Sequence, residues 1–387
     1  MSKTRAIFEE TAPTAPRAAV VKPGAADARR RSDRRVIAIW LMVLAAMVAG
    51  MVLIGGLTRL TDSGLSITEW KPVTGAIPPL SDATWQSEFN KYRAIPEYQI
   101  QNKGMSLSEF KVIYWWEWGH RQLGRAVGLV WAVGFAVFAL RRMIPAGWTG
   151  RLLLVGGLGG LQGAVGWWMV SSGLGGRMVD VASYRLATHL GLAFIILGLL
   201  LSYVWELRRD GAQLLAARRR RMTGLGAWAS WLSALIFVQI LLGALVAGID
   251  AGRGYTDWPL MGGEFLPSES FDYLPLWTNA FENPALVQFN HRMAGYALGL
   301  MALVVLWRAY VAGHAGAKFW AGTMTALMAA QVVLGVVTVL HAAPLNLAII
   351  HQTGAIALWA AALRLRFETR FPAEEKIARG RGALLTA

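Results

Sequence analysis

Apolar runs long enough to cross a bilayer recur along the chain, near residues 36–57, 118–140, 152–171, 186–206, 225–248, 285–308, 319–340 and 346–364. A helix spanning the hydrocarbon core needs about 20 residues, so the pattern predicts eight transmembrane helices and an all-α membrane protein. The second run is the least regular, because its clean apolar part extends only from Ala126 to Leu140. If the turns carrying His120, Arg121 and Arg125 lie at membrane depth, they need protein or ligand around them.

The polar breaks fix a direction. Arginine and lysine collect in the first 35 residues, at Arg141, Arg142 and Arg151, at Arg208, Arg209 and Arg218 to Arg221, at Arg308 and Lys318, and in the carboxy-terminal tail. Alternating spans put all of these on one side, which the positive-inside rule makes cytoplasmic, with both termini there. The opposite side receives two long connections, about 58–117 and 249–284, and short ones near 172–185 and 341–345. Connections of that length predict folded extracytoplasmic lids. Residues 1–35, rich in Ala, Pro and Arg, are expected to form a disordered basic cytoplasmic arm.

Composition changes the picture in two respects. A formal charge of +15 would suit nucleic acid, but the basic residues sit in tails and short loops, where membrane topology accounts for them. The chain contains no cysteine, which excludes disulfides, thiolate metal sites, iron–sulfur clusters and covalent heme attachment. Any metal must be held by histidine or oxygen.

Compared with itself, the chain repeats. Asp62, Gly64, Thr68, Glu69 and Trp70 match Asp250, Gly252, Thr256, Asp257 and Trp258 at one offset (250 − 62 = 188). His120, Arg121 and Gly124 match His291, Arg292 and Gly295 at 171, and Gln162 and Gly166 match Gln331 and Gly335 at 169. The reading is two tandem four-helix bundles related by a pseudo-twofold axis, residues 36–207 and 225–366, with a basic cytoplasmic linker at 208–224 and a tail at 367–387. Such bundles hold cofactors between facing helices. A Gln-x-x-x-Gly pattern recurs at Gln162/Gly166, Gln239/Gly243 and Gln331/Gly335, with Met51/Gly55 in the corresponding place. Close helix packing with an interhelical amide bond accounts for it, and room for a flat macrocycle is the alternative.

Each even-numbered span carries one histidine near its outer end: His120, His189, His291 and His351. With a rise of 1.5 Å per residue, the four lie within roughly 10 Å of one membrane face. A lone histidine at such a place can simply bond a neighbour, but four in register across a duplication point to ligation. Zinc or copper would favour clustered ligands, whereas heme needs axial imidazoles from facing helices and cations for its propionates. His120 therefore pairs with His189, and His291 with His351. Arg121 and Arg292 are candidate propionate partners, with Arg125 a further candidate, and interfacial snorkelling is the ordinary alternative. His341 is a minor candidate in a short outer loop, and His314 lies in a cytoplasmic loop. Glu117 stands one helical turn before His120, and Gln288 takes its place in the second half. An acid beside one heme and an amide beside the other would separate a reactive site from a relay, unless Glu117 is only a solvated headgroup-level carboxylate. On these residues alone, a diheme quinol or electron-transfer cytochrome and a heme carrier without chemistry both remain open.

The segments Gly55 to Pro79 (GGLTRLTDSGLSITEWKPVTGAIPP), Trp115 to Arg125 (WWEWGHRQLGR) and Phe289 to Tyr296 (FNHRMAGY) resemble the heme A synthase family. The likeness covers nearly all of residues 36–366, in a cysteine-free form similar to the alphaproteobacterial and mitochondrial branch. The resemblance implies oxidation of the C8 methyl group of heme O to a formyl group, by successive hydroxylations, to give heme A. It further implies a resident heme b on His291 and His351 that relays electrons, substrate heme O on His120 and His189, and a functional carboxylate at Glu117. An electron donor, heme O synthase and terminal oxidase assembly factors are the implied partners, in a bacterial inner membrane.

Overall fold

The computed structural model describes residues 24–176 and 178–374, so most of the expected basic arm and the end of the tail lie outside the described residues. In chain order the helices are α1 (Ala25–Leu60), α2 (Asp82–Arg93), α3 (Pro96–Ile100), α4 (Leu107–Leu140), α5 (Thr149–Val170) and α6 (Ser183–Leu207). They continue with α7 (Gly211–Arg219), α8 (Thr223–Gly248), α9 (Asn279–Glu282), α10 (Pro284–Ala312), α11 (Ala315–Leu340) and α12 (Leu345–Arg370). Eight of them, α1, α4, α5, α6, α8, α10, α11 and α12, are long and apolar enough to span a bilayer. Among the described residues there is no strand, so the chain is an all-helical, multi-pass membrane protein.

Two helices begin eleven residues before their apolar runs (36 − 25 and 118 − 107). At α1, the stretch from residue 25 to 35 is helical where disorder was expected. Asp27 sits in its first turn, and the Arg34 guanidinium donates to the Glu206 and Leu207 carbonyls at 3.0 and 3.3 Å and also bonds that of Arg209. Residues that look unable to fold alone thus find partners at the end of α6. At α4, a capping box between Ser106 and Glu109 starts the helix, and its polar first turns are covered by the connection before it rather than by lipid. Hydropathy cannot register a helix that begins above the membrane. The basic linker likewise contains α7, started by a capping box between Asp210 and Gln213.

Packing is cyclic within each set of four. α1 packs on α4 and α6, and α5 lies against both α4 and α6; in the second set α8 packs on α10 and α12, and α11 lies against both. The sets join where α6 meets α8 and α12, and where α12 meets α1. Leu41, Leu44, Leu200, Leu232 and Leu365, none more than 1% exposed, fill the shared core. One seam is loose: α10 and α11 pack closely, whereas α4 and α5 touch sparsely. Their contact is made where the Trp131 indole donates to the Leu152 carbonyl at 3.1 Å and occupies the place a side chain at Gly156 would need.

The long connection ahead of α4 folds into a lid. Leu65, Ile67, Trp85, Phe89, Tyr92, Phe110 and Tyr114 form its own apolar cluster. At the end where this lid sits, Arg59 bonds Asp62 and Asp250 at 3.0 Å each and reaches Asp180 at 3.6 Å, tying together the segments that follow α1, α5 and α8. Glu97 is buried in the lid; its Oε1 accepts from the Tyr92 hydroxyl at 3.2 Å and the Asn102 amide at 3.3 Å, while its Oε2 has no partner. Burial, with the Asp180, Asp62 and Glu117 carboxylates adding to it, raises Glu97 from its ordinary 4.5 to about 8.

A raised carboxyl pKa means that the folded lid binds a proton the unfolded lid has lost. Stability from this group is therefore full below about 4.5 and falls as pH rises to about 8. Glu97→Gln, neutral at every pH, should flatten that loss, measured as the thermal midpoint of detergent-solubilised protein between pH 5.5 and pH 8.5. Parallel pH profiles for the two proteins would reject the assignment.

Candidate heme sites

Each of the four predicted histidines is half-buried on the helix expected for it: His120 on α4, His189 on α6, His291 on α10 and His351 on α12. Each ring presents its Cε1 edge to a glycine on a neighbouring long helix. A side chain at Gly55 would begin 3.0 Å from His120, at Gly166 2.8 Å from His189, at Gly243 3.1 Å from His291 and at Gly335 3.2 Å from His351. Those separations are tighter than side chains ordinarily tolerate, so the recurrent glycines seat imidazoles. Packing room was the expected role, and the structure names what is packed.

In the second set of four helices two of the rings approach each other directly. His291 and His351 have centroids 6.5 Å apart with planes inclined at 78°. Two imidazoles on opposite sides of one metal, each bonded at about 2 Å with about 1 Å more to its ring centre, would stand about 6 Å apart. The separation of His291 and His351 is close to that figure. His120 and His189 lie within electrostatic range of each other. Nδ1 of His120 and Nδ1 of His351 are buried without a partner, a costly state for a polar nitrogen unless another group belongs there. Among the described residues no three His, Cys, Asp or Glu side chains cluster as a polydentate metal site would require. The donor set thus suits a bis-imidazole porphyrin better than zinc or copper.

Glu117 is buried, at 3% exposure, and not a solvated headgroup-level carboxylate. Its Oε2 accepts from the Ser66 hydroxyl at 2.7 Å and the Ile67 N–H at 2.6 Å, and its Oε1 accepts from Arg121 Nε at 3.0 Å and from Arg121 Nη2. Arg121 goes on to donate to the carbonyls of Ile67 at 2.7 Å and Glu69 at 3.1 Å. The second half has the same latch with an amide in it. Gln288 donates to the Tyr255 carbonyl at 3.1 Å, and Arg292 donates to Tyr255 at 3.0 Å and Leu260 at 2.9 Å. Ile67 and Tyr255 stand at the offset of 188 that relates the two outer connections (255 − 67). In both halves, then, the residue one turn before the histidine and the arginine after it grip the strap that follows α1 or α8.

The candidate arginines are therefore engaged with backbone. Arg125 also holds this strap, donating to Pro72 at 2.8 Å and Lys71 at 2.9 Å. Buried without a partner beside these latches are Arg292 Nε, Gln288 Oε1 and the Trp118 indole N–H. His341 caps the end of α11, exposed, with Nδ1 at 2.8 Å from the Val337 carbonyl. His314 caps the start of α11 rather than facing solvent freely.

Ser66, Ile67 and Gln352 were not singled out from sequence. Gln352, next to His351, donates to the Val52 carbonyl of α1 at 2.5 Å and lies against Gly56, beside the glycine that seats His120. The straps at 62–70 and 250–258 match at one offset in the sequence, and that match is the signal available for Ser66 and Ile67. Gln352 carried none.

Residues 38–363 match the COX15-CtaA family, described as cytochrome oxidase assembly protein. A protein of Dinoroseobacter shibae named heme A synthase is 60% identical over 96% of this chain and 97% of its own length. Proteins of the same name from Paracoccus denitrificans and Cereibacter sphaeroides are 57% and 50% identical, over 96% and 98% of this chain and 98% and 99% of their own lengths. With paired imidazole seats in an eight-helix membrane framework and this similarity along nearly the whole length, the chain belongs to the COX15-CtaA family of cytochrome oxidase assembly proteins.

Proposed function

We propose that this protein makes heme A, oxidising the C8 methyl of heme O to a formyl group through successive hydroxylations and loss of water. His120 and His189 would hold the heme O substrate, and His291 and His351 a resident heme b. The observation that carries the reading is the difference between two like-built sites: one has a buried carboxylate and a loose helix seam, the other an amide and a closed one. A substrate must enter and its product leave, whereas a resident group needs neither. The sparse contact between α4 and α5 supports lateral passage of a tailed porphyrin from the bilayer into the first half.

Heme b, when bound, supplies one-electron chemistry. The chain's own contribution at the substrate is the fixed charge of Glu117. Four donors, one of them the N–H of Ile67, hold this carboxylate as an anion one turn from His120. Preorganised charge of that kind stabilises positive charge developing at a benzylic-like carbon without reorganising. The lid excludes water from above, and the latch keeps the strap in register with α4.

The two sets of four helices are read as copies of one unit, a view supported by the equivalent latches and the four glycine seats. The distribution of basic residues supports an orientation with the arginine-rich end and both termini on the cytoplasmic side of a bacterial inner membrane and the lids outside. Heme O synthase and terminal oxidase assembly factors are the expected neighbours in the pathway's chemistry.

Pigments extracted from protein co-expressed with a heme O source should comprise protoheme together with heme O and heme A. Protoheme alone would favour an electron-transfer cytochrome, and unchanged heme O a carrier. Gly243→Leu should cost the protoheme and Gly166→Leu the heme O and heme A, because each side chain would collide with one axial ring; the reverse pattern would exchange the two assignments. Glu117→Ala, with both pigments retained, should lower turnover roughly a hundredfold or accumulate the hydroxymethyl product, as loss of a preorganised charge does. Normal heme A formation by that variant would remove Glu117 from the mechanism.

A further inference from the structure

Far from the histidines, where α6, α8 and α12 meet, the membrane-facing surface carries a groove of about 360 Å³. Ile195, Phe237, Trp359 and Leu363 line its apolar length. It is open at Ile195 and Ala234, both exposed. The polar side chains along this stretch are satisfied within the protein: the Trp359 indole donates to the Phe194 carbonyl at 3.0 Å, and the Ser233 hydroxyl to the Ala229 carbonyl at 2.8 Å. At the arginine-rich end the groove finishes on a cation. Arg366 is exposed, and its Nε donates at 3.1 Å to the Ser230 hydroxyl of α8, which donates in turn to the Gly226 carbonyl at 2.7 Å.

The rest of that guanidinium bonds nothing among the described residues. Neighbouring charges at this end are matched: Glu206, Glu368 and Glu374 pair with Arg151, Arg364 and Arg220 at 2.6, 3.2 and 3.2 Å, whereas Arg366 has no ion pair among the described residues. Its depth is also defined. Arg366 lies just past the apolar run that ends at residue 364 and one turn before the end of α12, which is headgroup level. From there to Trp359 the helix descends about 10 Å into the bilayer. A fixed, unmatched guanidinium above an apolar trough suits a phosphate with a hydrocarbon chain beneath it, since arginine binds phosphate through several donors and basic pockets between membrane helices take anionic headgroups. We propose that this groove binds one anionic phospholipid, its phosphate on Arg366 and an acyl chain along Ile195, Phe237, Trp359 and Leu363. Because α6 belongs to the first set of four helices and α8 and α12 to the second, a lipid held there bridges the two sets. Simple snorkelling of Arg366 into the headgroups is the competing account, and it predicts no retained lipid.

The test uses full-length protein purified in mild detergent and titrated with dioleoylphosphatidylglycerol or dioleoylphosphatidylcholine, with bound lipid counted by native mass spectrometry. One phosphatidylglycerol should be retained, about fivefold more tightly than phosphatidylcholine, as one basic residue at an anionic headgroup provides. Arg366→Gln should remove that preference. Ala234→Trp, which fills the groove and leaves Arg366 in place, should lose both lipids. Arg370→Gln, at the same end but outside the groove, should bind as the unsubstituted protein does. Should Ala234→Trp fail to fold, the contrast between Arg366→Gln and Arg370→Gln decides. No retained lipid, equal retention of the two lipids by the unsubstituted protein, or equal losses in Arg366→Gln and Arg370→Gln would overturn the site.

Discussion

An imidazole placed at membrane depth cannot be solvated by lipid, so it must be seated against protein and left one direction in which to bond. In this protein the seat is a missing side chain on the neighbouring helix, repeated at Gly55, Gly166, Gly243 and Gly335. Much else follows from that constraint. The odd helices must approach the even ones closely at that level, which small residues permit. A polar residue one turn away then falls beside the histidine, where an amide can bond the backbone carbonyl. Substituting any of these glycines moves a ring before it changes a helix, and the site is correspondingly intolerant.

The same economy governs the straps. A chain leaving α1 or α8 must turn across the mouth of its bundle without stranding its backbone polar groups, and one arginine per half takes the carbonyls of Ile67 and Glu69 or of Tyr255 and Leu260. Asp62 and Asp250 open these turns in the left-handed region, at φ of 49° and 52°, a conformation that short polar side chains tolerate better than bulky ones. What differs is the residue one turn before the histidine. An amide completes the latch by donating to a carbonyl, whereas a carboxylate completes it only by accepting, and Glu117 does so from Ser66, Ile67 and Arg121 together. The first half thereby gains an ion pair, Glu117 with Arg121, beside its histidine while keeping the strap geometry of the second.

The spans, the four histidines and the pairing of Glu117 with Gln288 were legible because each leaves a mark in linear order: a run of apolar residues, or a match at fixed offset. The early starts of α1 and α4 were not, since both are held by tertiary partners and neither helix end is apolar. The occupation of Arg121, Arg125 and Arg292 by backbone carbonyls was not legible, because it depends on where the straps run, and that is a three-dimensional fact. Arg59 was invisible for another reason. It has no counterpart in the second half, where position 247 is alanine, so repetition could not flag a residue that binds Asp62 from its own half and Asp250 from the other.

That last asymmetry bears on how the two sites stay in step. Helices packed only through apolar side chains can slide by fractions of a turn at little cost, and a bilayer supplies no hydrophobic force to oppose it. Directional contacts resist sliding, and toward this end they include Arg59 to Asp250, Ser183 to the Phe281 carbonyl, and Gln352 to the Val52 carbonyl against Gly56. The last contact follows His351 immediately and meets α1 beside the glycine that seats His120. A shift of α12 along α1 would break it and move His351 relative to Gly55, the glycine that seats His120. The seats of His120 and His351 are thus tied to each other through one hydrogen bond between α12 and α1.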